Sequence, residues 1–365
     1  MKYRARALPL VAFACALAGA FAPILAEAPR GYYRFPAIHD DTVVFVAEGD
    51  LWTVGVGGGI ARRLTSHLEE ELHPAISPDG RTVAFSANYE GPTEVYTMPL
   101  AGGLPSRRTW EGGSARVVGW TPGAAILYST RKYATLPDRQ LVSLEPASGE
   151  RRRLPLAQAA DGCFAEDGRT LYFTRLARQS SETQRYHGGT AQNLWSFTSG
   201  DDEARPLTAD WTGTSALPMC WDGRVYFVSD RDGTLNLWSM GADGTALRQH
   251  TEHVGWDVLE PDLSRGRIVY QLGADLRLYD IATDRDEEIP IQLASDFEHM
   301  RERWVEEPLE YVTAAFPSPD GDRVAVTARG EIIVMPTGQG RRVHVTRRPD
   351  VRYRSARFLP DGKSL

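Results

Sequence analysis

The chain has 365 residues, with 41 Lys and Arg against 48 Asp and Glu and a formal net charge of −7. It is long enough for a large core, and it lacks the concentrated basic stripe that nucleic acid demands. Its 42% hydrophobic share, 34 glycines and 23 prolines are ordinary for an all-β chain, and no stretch after residue 28 reaches the roughly 18 apolar residues of a membrane span.

At the N-terminus, Lys2, Arg4 and Arg6 precede an apolar run from Ala7 to Ala26, broken by Pro23, and Ala26-Glu27-Ala28 has small-x-small character. Residues 1–28 read as a secretory signal peptide, cleaved near Ala28 and leading to a periplasmic or secreted protein. An uncleaved anchor helix is the other reading. Removal takes away three basic residues and one acidic residue, which moves the charge from −7 to −9. Cys15 has no lipobox before it.

From Asp50 onward the chain repeats itself. Strand-like segments DLWTV (50–54), EVYTM (94–98), QLVSL (140–144), NLWSF (193–197), NLWSM (236–240), DLRLY (275–279) and EIIVM (331–335) recur. Most lead into a basic or polar segment such as ARRLTS (61–66), SRRTWE (106–111), ARPLTA (204–209) or RRVHVT (341–346). Turn glycines at Gly80, Gly123, Gly168, Gly223, Gly266, Gly321 and Gly362 keep the same beat, with steps of 41 to 55 residues. A period near 40–50 residues with three or four short strands per unit predicts β-propeller blades. Each meander has two faces to bury and can do so only against its neighbours around an axis.

Within the first unit, GVGGGI (55–60) resembles a phosphate loop, but isoleucine fills its last glycine position and the segment lies between two strands, so a hairpin turn is expected. HLEEELHP sets His67 and His73 around Glu69, Glu70 and Glu71 in no metal-ligand spacing, and a solvated acidic loop is expected. SPDG (77–80) presets a turn whose glycine takes a positive φ, and RTVAFSA (81–87) follows with strand alternation. Aromatic residues in the middle strands, Trp52, Tyr96, Trp195, Trp238 and Tyr279, are expected to pack between blades.

Arg116 opens the third unit, and Arg131-Lys132 follows the strand AILYST. Guanidinium and ammonium groups at a blade edge can hold a peptide carboxylate through charge-assisted hydrogen bonds; plain exposed charge is the alternative. RRR (151–153) reads as the outer strand of its blade. Cys163 and Cys220 occupy similar places in neighbouring units, but alignment on the turn glycines leaves them two positions apart. Two buried free thiols are therefore expected rather than a disulfide.

The rhythm breaks at residues 293–310. LASDFEHMRERWVEEPLE is charged and lacks alternation; Ser295 with Glu298 resembles a capping box, and Pro308 closes the segment. The cadence resumes at YVTAAFPSPDGDRVAVTARGEIIVMPT and reaches LPDGKSL, where another strand would begin. The predicted layout is a signal peptide (1–28), a six-bladed β-propeller (29–292), a linker (293–310) and the start of a second, seven-bladed β-propeller (311–365). The chain is expected to be the N-terminal part of something longer.

No G-x-S-x-G elbow, H-E-x-x-H or Walker loop occurs, and no metal or cofactor is called for. The ordered set of segments nevertheless resembles the N-terminal part of the tricorn protease family, including its bacterial tricorn-like members. HDDTVVFVAEGDLWTV is similar to the family's first blade, and YHGGTAQNLW (186–195) to its Y-x-G-G-T-x-x-x-[IL]-W segment. VYFVSDRDGTLNLWSMGADGTALRQHT (225–251) resembles the fifth blade, and the linker with YVTAAFPSPDGDRVAVTARGEI resembles the junction between two propellers. The likeness covers residues 33–365.

That resemblance implies a large serine peptidase with two propellers, a PDZ-like module and a C-terminal core that cuts oligopeptides into short products. The catalytic residues would lie beyond Leu365, in further domains of the same polypeptide, and a homo-oligomer is expected. This stretch would act as a channel and substrate filter. The resemblance also implies that basic residues of the first propeller hold the substrate's C-terminal carboxylate. In the loop EGGSAR (111–116), shorter here than in the family, Arg116 stands near the family's paired arginines. The signal peptide is a second departure, since archetypal members are cytoplasmic. The alternatives are a TolB-like envelope propeller that binds proteins, or the propeller of a prolyl-oligopeptidase-like enzyme.

Overall fold

The computed structural model describes residues 31–177, 186–297, 304–346, 348 and 351–365; the expected signal peptide lies outside them. Two compact units divide after Asp296.

The first unit is a succession of antiparallel four-stranded meanders. The first comprises β1 (Arg34–His39), β2 (Thr42–Ala47), β3 (Asp50–Gly55) and β4 (Gly59–Arg63); the second β5 (Glu71–Ile76), β6 (Thr82–Ala87), β7 (Glu94–Pro99) and β8 (Ser106–Arg107). The third comprises β9 (Ala115–Trp120), β10 (Ile126–Thr130), β11 (Gln140–Leu144) and β12 (Arg151–Arg153), and the fourth β13 (Asp161–Phe164), β14 (Thr170–Thr174), β15 (Leu194–Thr198) and β16 (Arg205–Pro206). After them come β17 (Ser215–Trp221), β18 (Arg224–Ser229), β19 (Asn236–Gly241) and β20 (Arg248–Gln249), then β21 (Val258–Ser264), β22 (Arg267–Leu272), β23 (Asp275–Asp280) and β24 (Arg285–Glu288). Among the described residues the first strands touch in chain order, β1 to β5, β9, β13, β17 and β21, and β21 returns to β1. This is the β-propeller arrangement that the repeat predicts.

Second strands such as β2 and β6 are buried on both faces because a sheet stands on either side, and they read as near-continuous apolar runs, TVVFVA and TVAFSA. The cores straddle neighbouring sheets. Val44, Val46 and Leu51 pack with Val83, Phe85 and Tyr96, while Tyr226 and Val228 pack with Ile268 and Tyr270. Burying each such side chain contributes about 1.5–3 kcal/mol. Of the middle-strand aromatics, Trp52, Tyr96 and Tyr279 are buried, and Trp195 and Trp238 are half-buried. RRR forms the exposed outer strand β12.

A threonine lock explains much of the repeat. The backbone N–H of Leu51, Val95, Leu194 and Leu237 donates to Oγ1 of Thr65, Thr109, Thr208 and Thr251 at 2.8–2.9 Å, always fourteen residues on. Each hydroxyl in turn donates to an acid or amide, Glu71, Glu94, Asn193 and Asn236 respectively. The lock fastens the start of the third strand to the end of the fourth, where the ladder has only two or so pairs.

Closure of the first unit joins segments from near its beginning and its end. β25 (Ile291–Leu293) joins the first sheet parallel to β4. Tyr33 N–H donates to Ala274 O at 3.0 Å, and its hydroxyl donates to Ile291 O at 3.0 Å. GVGGGI is indeed the turn between β3 and β4, and its Gly58 has φ +79°, where a Cβ would fall 2.4 Å from Pro290 O.

Several expectations are corrected. Cys163 and Cys220 form a disulfide, with Cα atoms 5.8 Å apart, and both are half-buried rather than buried thiols. Cys163 sits one residue before the last ladder pair of its hairpin, Phe164–Leu171, and Cys220 one before Trp221–Arg224. The two cysteines are thus equivalent. The turn glycines misalign them because one turn spans residues 165–170 and the other only 222–223. Nor is HLEEELHP wholly a solvated loop: Glu69 and Glu70 are exposed, but Glu71 is buried and His73 is half-buried in β5. As for the capping box, Glu298 lies outside the described residues, and the Ser295 hydroxyl donates to the Glu48 carboxylate.

The second unit contains a 3₁₀ turn at Pro308–Tyr311 and one meander of β26 (Val312–Pro317), β27 (Arg323–Ala328), β28 (Glu331–Pro336) and β29 (Val343–His344). Thr346 Oγ1 donates to Glu331 at 3.2 Å, again at the start of a third strand.

Candidate functional site

The first strands enclose an axial cavity of about 570 Å³. Its shape depends on one device used four times. Phe35, His73, Leu217 and Glu260 have φ of +48°, +49°, +53° and +45°, and each sits at a β-bulge in β1, β5, β17 or β21. Each is followed by proline (Pro36, Pro74, Pro218, Pro261), which has no N–H for the ladder. A bulge re-aims the side chain, and all four residues line the cavity. Holding such bulky residues in the left-handed region costs about 1–3 kcal/mol each, strain of the kind that tends to persist at functional sites. The x-Pro pairs in RFPAI, LHPAI, ALPMC and LEPDL are a sequence signal that composition and turn glycines alone pass over.

Between these bulges lies a charged layer. Arg116 from β9 is ion-paired to Asp161 from β13. Burial works against the Arg116 charge, but Asp161 and Glu260 outweigh it and raise the pKa further. His73 Nδ1 is 3.8 Å from Glu260 Oε2, and its ring meets Phe35 edge-on with centroids 4.3 Å apart. Burial, then the charges of Arg116, Arg139 and Arg34, hold the imidazole well below its usual pKa, so it is neutral at pH 7. Asp262 is pushed up to about 6 by burial, against the hydrogen bonds it accepts from the Ile38 and Leu263 N–H groups. The Cys163–Cys220 disulfide crosses the wall between β13 and β17.

Of the sequence-predicted anchoring residues, Arg116 alone lines this cavity. Thr130 is laddered to Ala115, so Arg131 and Lys132 leave the sheet beside the start of β9, whereas the cavity-lining Thr121 and Pro122 follow its end. Arg131 is exposed. Lys132 Nζ lies 3.2 Å from Glu111 Oε2 and donates to Trp110 O at 3.3 Å. Arg139, which sequence reasoning missed, donates to Ser114 Oγ at 2.9 Å. Burial, followed by repulsion from Arg116 and Arg131, lowers its pKa, so these three guanidinium groups share one region. Lys132 is drawn instead to Glu111.

The described residues contain no group of three or more His, Cys, Asp or Glu placed to hold a metal ion. What the geometry offers is a partly open, charged cavity bounded by strained strands.

Comparison with known proteins places this geometry. The family described as the tricorn protease N-terminal beta propeller domain matches residues 30–285. A tricorn protease homolog of Saccharolobus solfataricus is 27% identical over 91% of this chain and 31% of its own length. Tricorn protease homolog 1 of Streptomyces coelicolor is 32% identical over 92% of this chain and 32% of its own length. The chain therefore spans about a third of the length of these relatives. The crystal structure of the tricorn protease aligns over 89% of this chain and 32% of that one, with a TM-score of 0.70 and 23% identity, a likeness of fold.

Proposed function

The chain belongs to the tricorn protease N-terminal β-propeller family, and on that premise we propose that it is the substrate-admitting region of a tricorn-like serine peptidase. In this reading the first unit is a six-bladed propeller and the second unit begins another ring. The peptide-bond chemistry resides in further domains of the same polypeptide, beyond Leu365, and several copies assemble. Oligopeptides pass the first ring along its axis and are filtered there.

The observation that carries this reading is the axial cavity itself. It is bounded by first strands from successive sheets, and four bulged residues line it. A propeller serving only as a support has no need of strained backbone around its axis. The disulfide on the cavity wall supports the proposal of export, because such bonds persist in oxidising compartments.

The test compares two preparations. The 365-residue chain should leave short fluorogenic peptides intact, while the longer polypeptide hydrolyses them. In the longer polypeptide, Leu217→Trp should slow turnover of long peptides more than that of dipeptide reporters. Hydrolysis by the 365-residue chain, or a plug with equal effect on all lengths, would count against the proposal.

A further inference from the structure

The geometry points to the axial cavity as a binding site for a cationic group, the guanidinium or ammonium of a basic peptide. This inference rests on the peptide-passage reading and names the class of peptide that the passage favours.

The cavity wall carries the carboxylates of Asp161, Glu166, Glu260 and Asp262. Against them stand the guanidinium groups of Arg116 and Arg265, and both are engaged. Arg116 is paired with Asp161, and Arg265 reaches Asp40 at 2.7 Å. His73 adds no charge at pH 7. Setting the Arg116–Asp161 pair aside, the lining keeps Glu166, Glu260 and Asp262 against Arg265, while Arg34 and Arg139, outside the lining, act on His73 from behind. The carboxylates on the wall therefore face a partly enclosed space where charge–charge interactions are stronger than in bulk water.

A second observation is independent of that count. Asp161 is only 3% exposed, yet its Oδ2 has no hydrogen-bond partner. A buried carboxylate oxygen left open asks for a donor. The Nε of Arg116 beside it is likewise unused, so a ligand that donates to Asp161 while offering a carbonyl to Arg116 satisfies both. A peptide carrying a cationic group supplies both functions.

Aromatic surface completes the site. Phe35, Trp120, Phe164 and Trp221 also line the cavity, and ring faces attract ammonium and guanidinium groups. Trp120 is held in place by its Nε1–H bond to Ala75 O at 3.0 Å. Carboxylates and aromatic faces around one space recognise an organic cation better than a metal ion, for which the described residues supply no ligand cluster. Bulges at Phe35 and Glu260 hold one member of each kind in position.

The cationic group has two sources, an arginine or lysine side chain and a free peptide N-terminus. Calorimetry on the purified protein distinguishes them with four capped or uncapped tetrapeptides. Three are N-acetylated and C-amidated alanine peptides with one central arginine, citrulline or glutamate; the fourth is all-alanine with a free amino group. The arginine peptide is expected to bind at least ~10-fold more tightly than its citrulline counterpart, about 1.4 kcal/mol, and the glutamate peptide more weakly still. The double variant Glu260→Gln, Asp262→Asn keeps size and the Ile38 acceptor and is expected to bring arginine and citrulline within about threefold. Glu150→Gln, at an exposed turn, removes one charge elsewhere and should leave the preference unchanged. Comparable binding by the free-amino peptide supports the site with the N-terminus as its source. Equal binding of arginine and citrulline peptides with no tighter binding of the free-amino peptide, or a preference that survives in the folded double variant, overturns the inference alone. Failure of every peptide to bind removes it together with the peptide-passage reading.

Discussion

The main-chain N–H of Ile38 donates a 2.7 Å hydrogen bond to Oδ2 of Asp262, joining residues 224 apart in sequence. The bond stitches β1 to β21, the first and last of the inner strands, at the seam where the first unit closes on itself. Nearby, Arg265 and Arg267 on one side reach Asp40 and Asp41 on the other at 2.7 and 2.8 Å.

Closure should consequently vary with pH, and Asp262 gives the sign. Its folded pKa is raised from 3.8 to about 6, chiefly by burial. The folded state therefore binds the extra proton, and this contribution to stability is complete below about pH 4 and lost as the pH rises through about 6. The full effect is at most about 3 kcal/mol. Asp262→Asn keeps an oxygen for Ile38 and should abolish this part of the slope, making the variant relatively more stable than the parent at pH 7.5. Asp262→Ala leaves the Ile38 N–H without its acceptor and should lose about 1–3 kcal/mol at every pH. Urea unfolding at pH 4.5, 6 and 7.5 decides. A difference between parent and Asn variant that is constant across the three would show that Asp262 is not the titrating group.

The threonine lock predicts a family of matched variants. Thr109→Val and Thr251→Val preserve volume but leave the buried N–H groups of Val95 and Leu237 unpaired. Each should cost about 1–3 kcal/mol, whereas Thr→Ser at the same sites should cost well under half as much. Because the two locks lie in different sheets, the double Val variant should be additive within about 0.5 kcal/mol. Thermal unfolding of the three variants measures this directly.

The lock also shows how much of the fold was legible. The recurring D/E/N-L-W and L-T elements in DLWTV and ARRLTS encode a local bond of fixed span, so the period and the order of strands within a meander could be read from one chain. Register between sheets could not. Cys163 and Cys220 occupy equivalent ladder positions, but unequal turns hide this from any alignment on glycine. Glu71 looks like one of three exposed glutamates until Thr65, Leu51 and Tyr89 surround it. The cavity was half-visible: Arg116 stood out as a basic residue at a repeat boundary, while Asp161 and Glu260, on neighbouring and distant sheets, become its partners only when the ring closes.

The disulfide makes a prediction about redox state. Neither Cys163 nor Cys220 should react with a thiol reagent in the native, unreduced protein, and both should react after reduction. Cys163→Ser with Cys220→Ser removes a cross-link between residues 57 apart; loop-entropy arguments put the loss at about 2–5 kcal/mol. Denaturation with and without reductant should give the same loss in the parent and no change in the double serine variant. Quantitative labelling without reductant would contradict the pairing.

The seam has a second weak point at Gly58, and it separates closure from general stability. Gly58 has φ +79°, and a Cβ there would lie 2.4 Å from Pro290 O and 2.7 Å from the Pro290 ring. Alanine at this position is opposed twice, by its own backbone conformation and by the segment leading into β25. The backbone beside it cannot yield freely, because Gly59 N–H donates to the same Pro290 O at 2.8 Å. Gly58→Ala should therefore push residues 290–293 off β4 and cost about 1–3 kcal/mol. The loss should be local first. Hydrogen exchange at Gln292 and Leu293 should accelerate by at least ~10-fold, corresponding to about 1.4 kcal/mol, while amides of β6 and β10, deep in the second and third sheets, keep their protection. Gly57→Ala, whose Cβ would meet nothing within 4 Å, should leave both regions unchanged. Uniform acceleration across all sheets in Gly58→Ala would mean that β25 is not a separable clasp but part of one cooperative core.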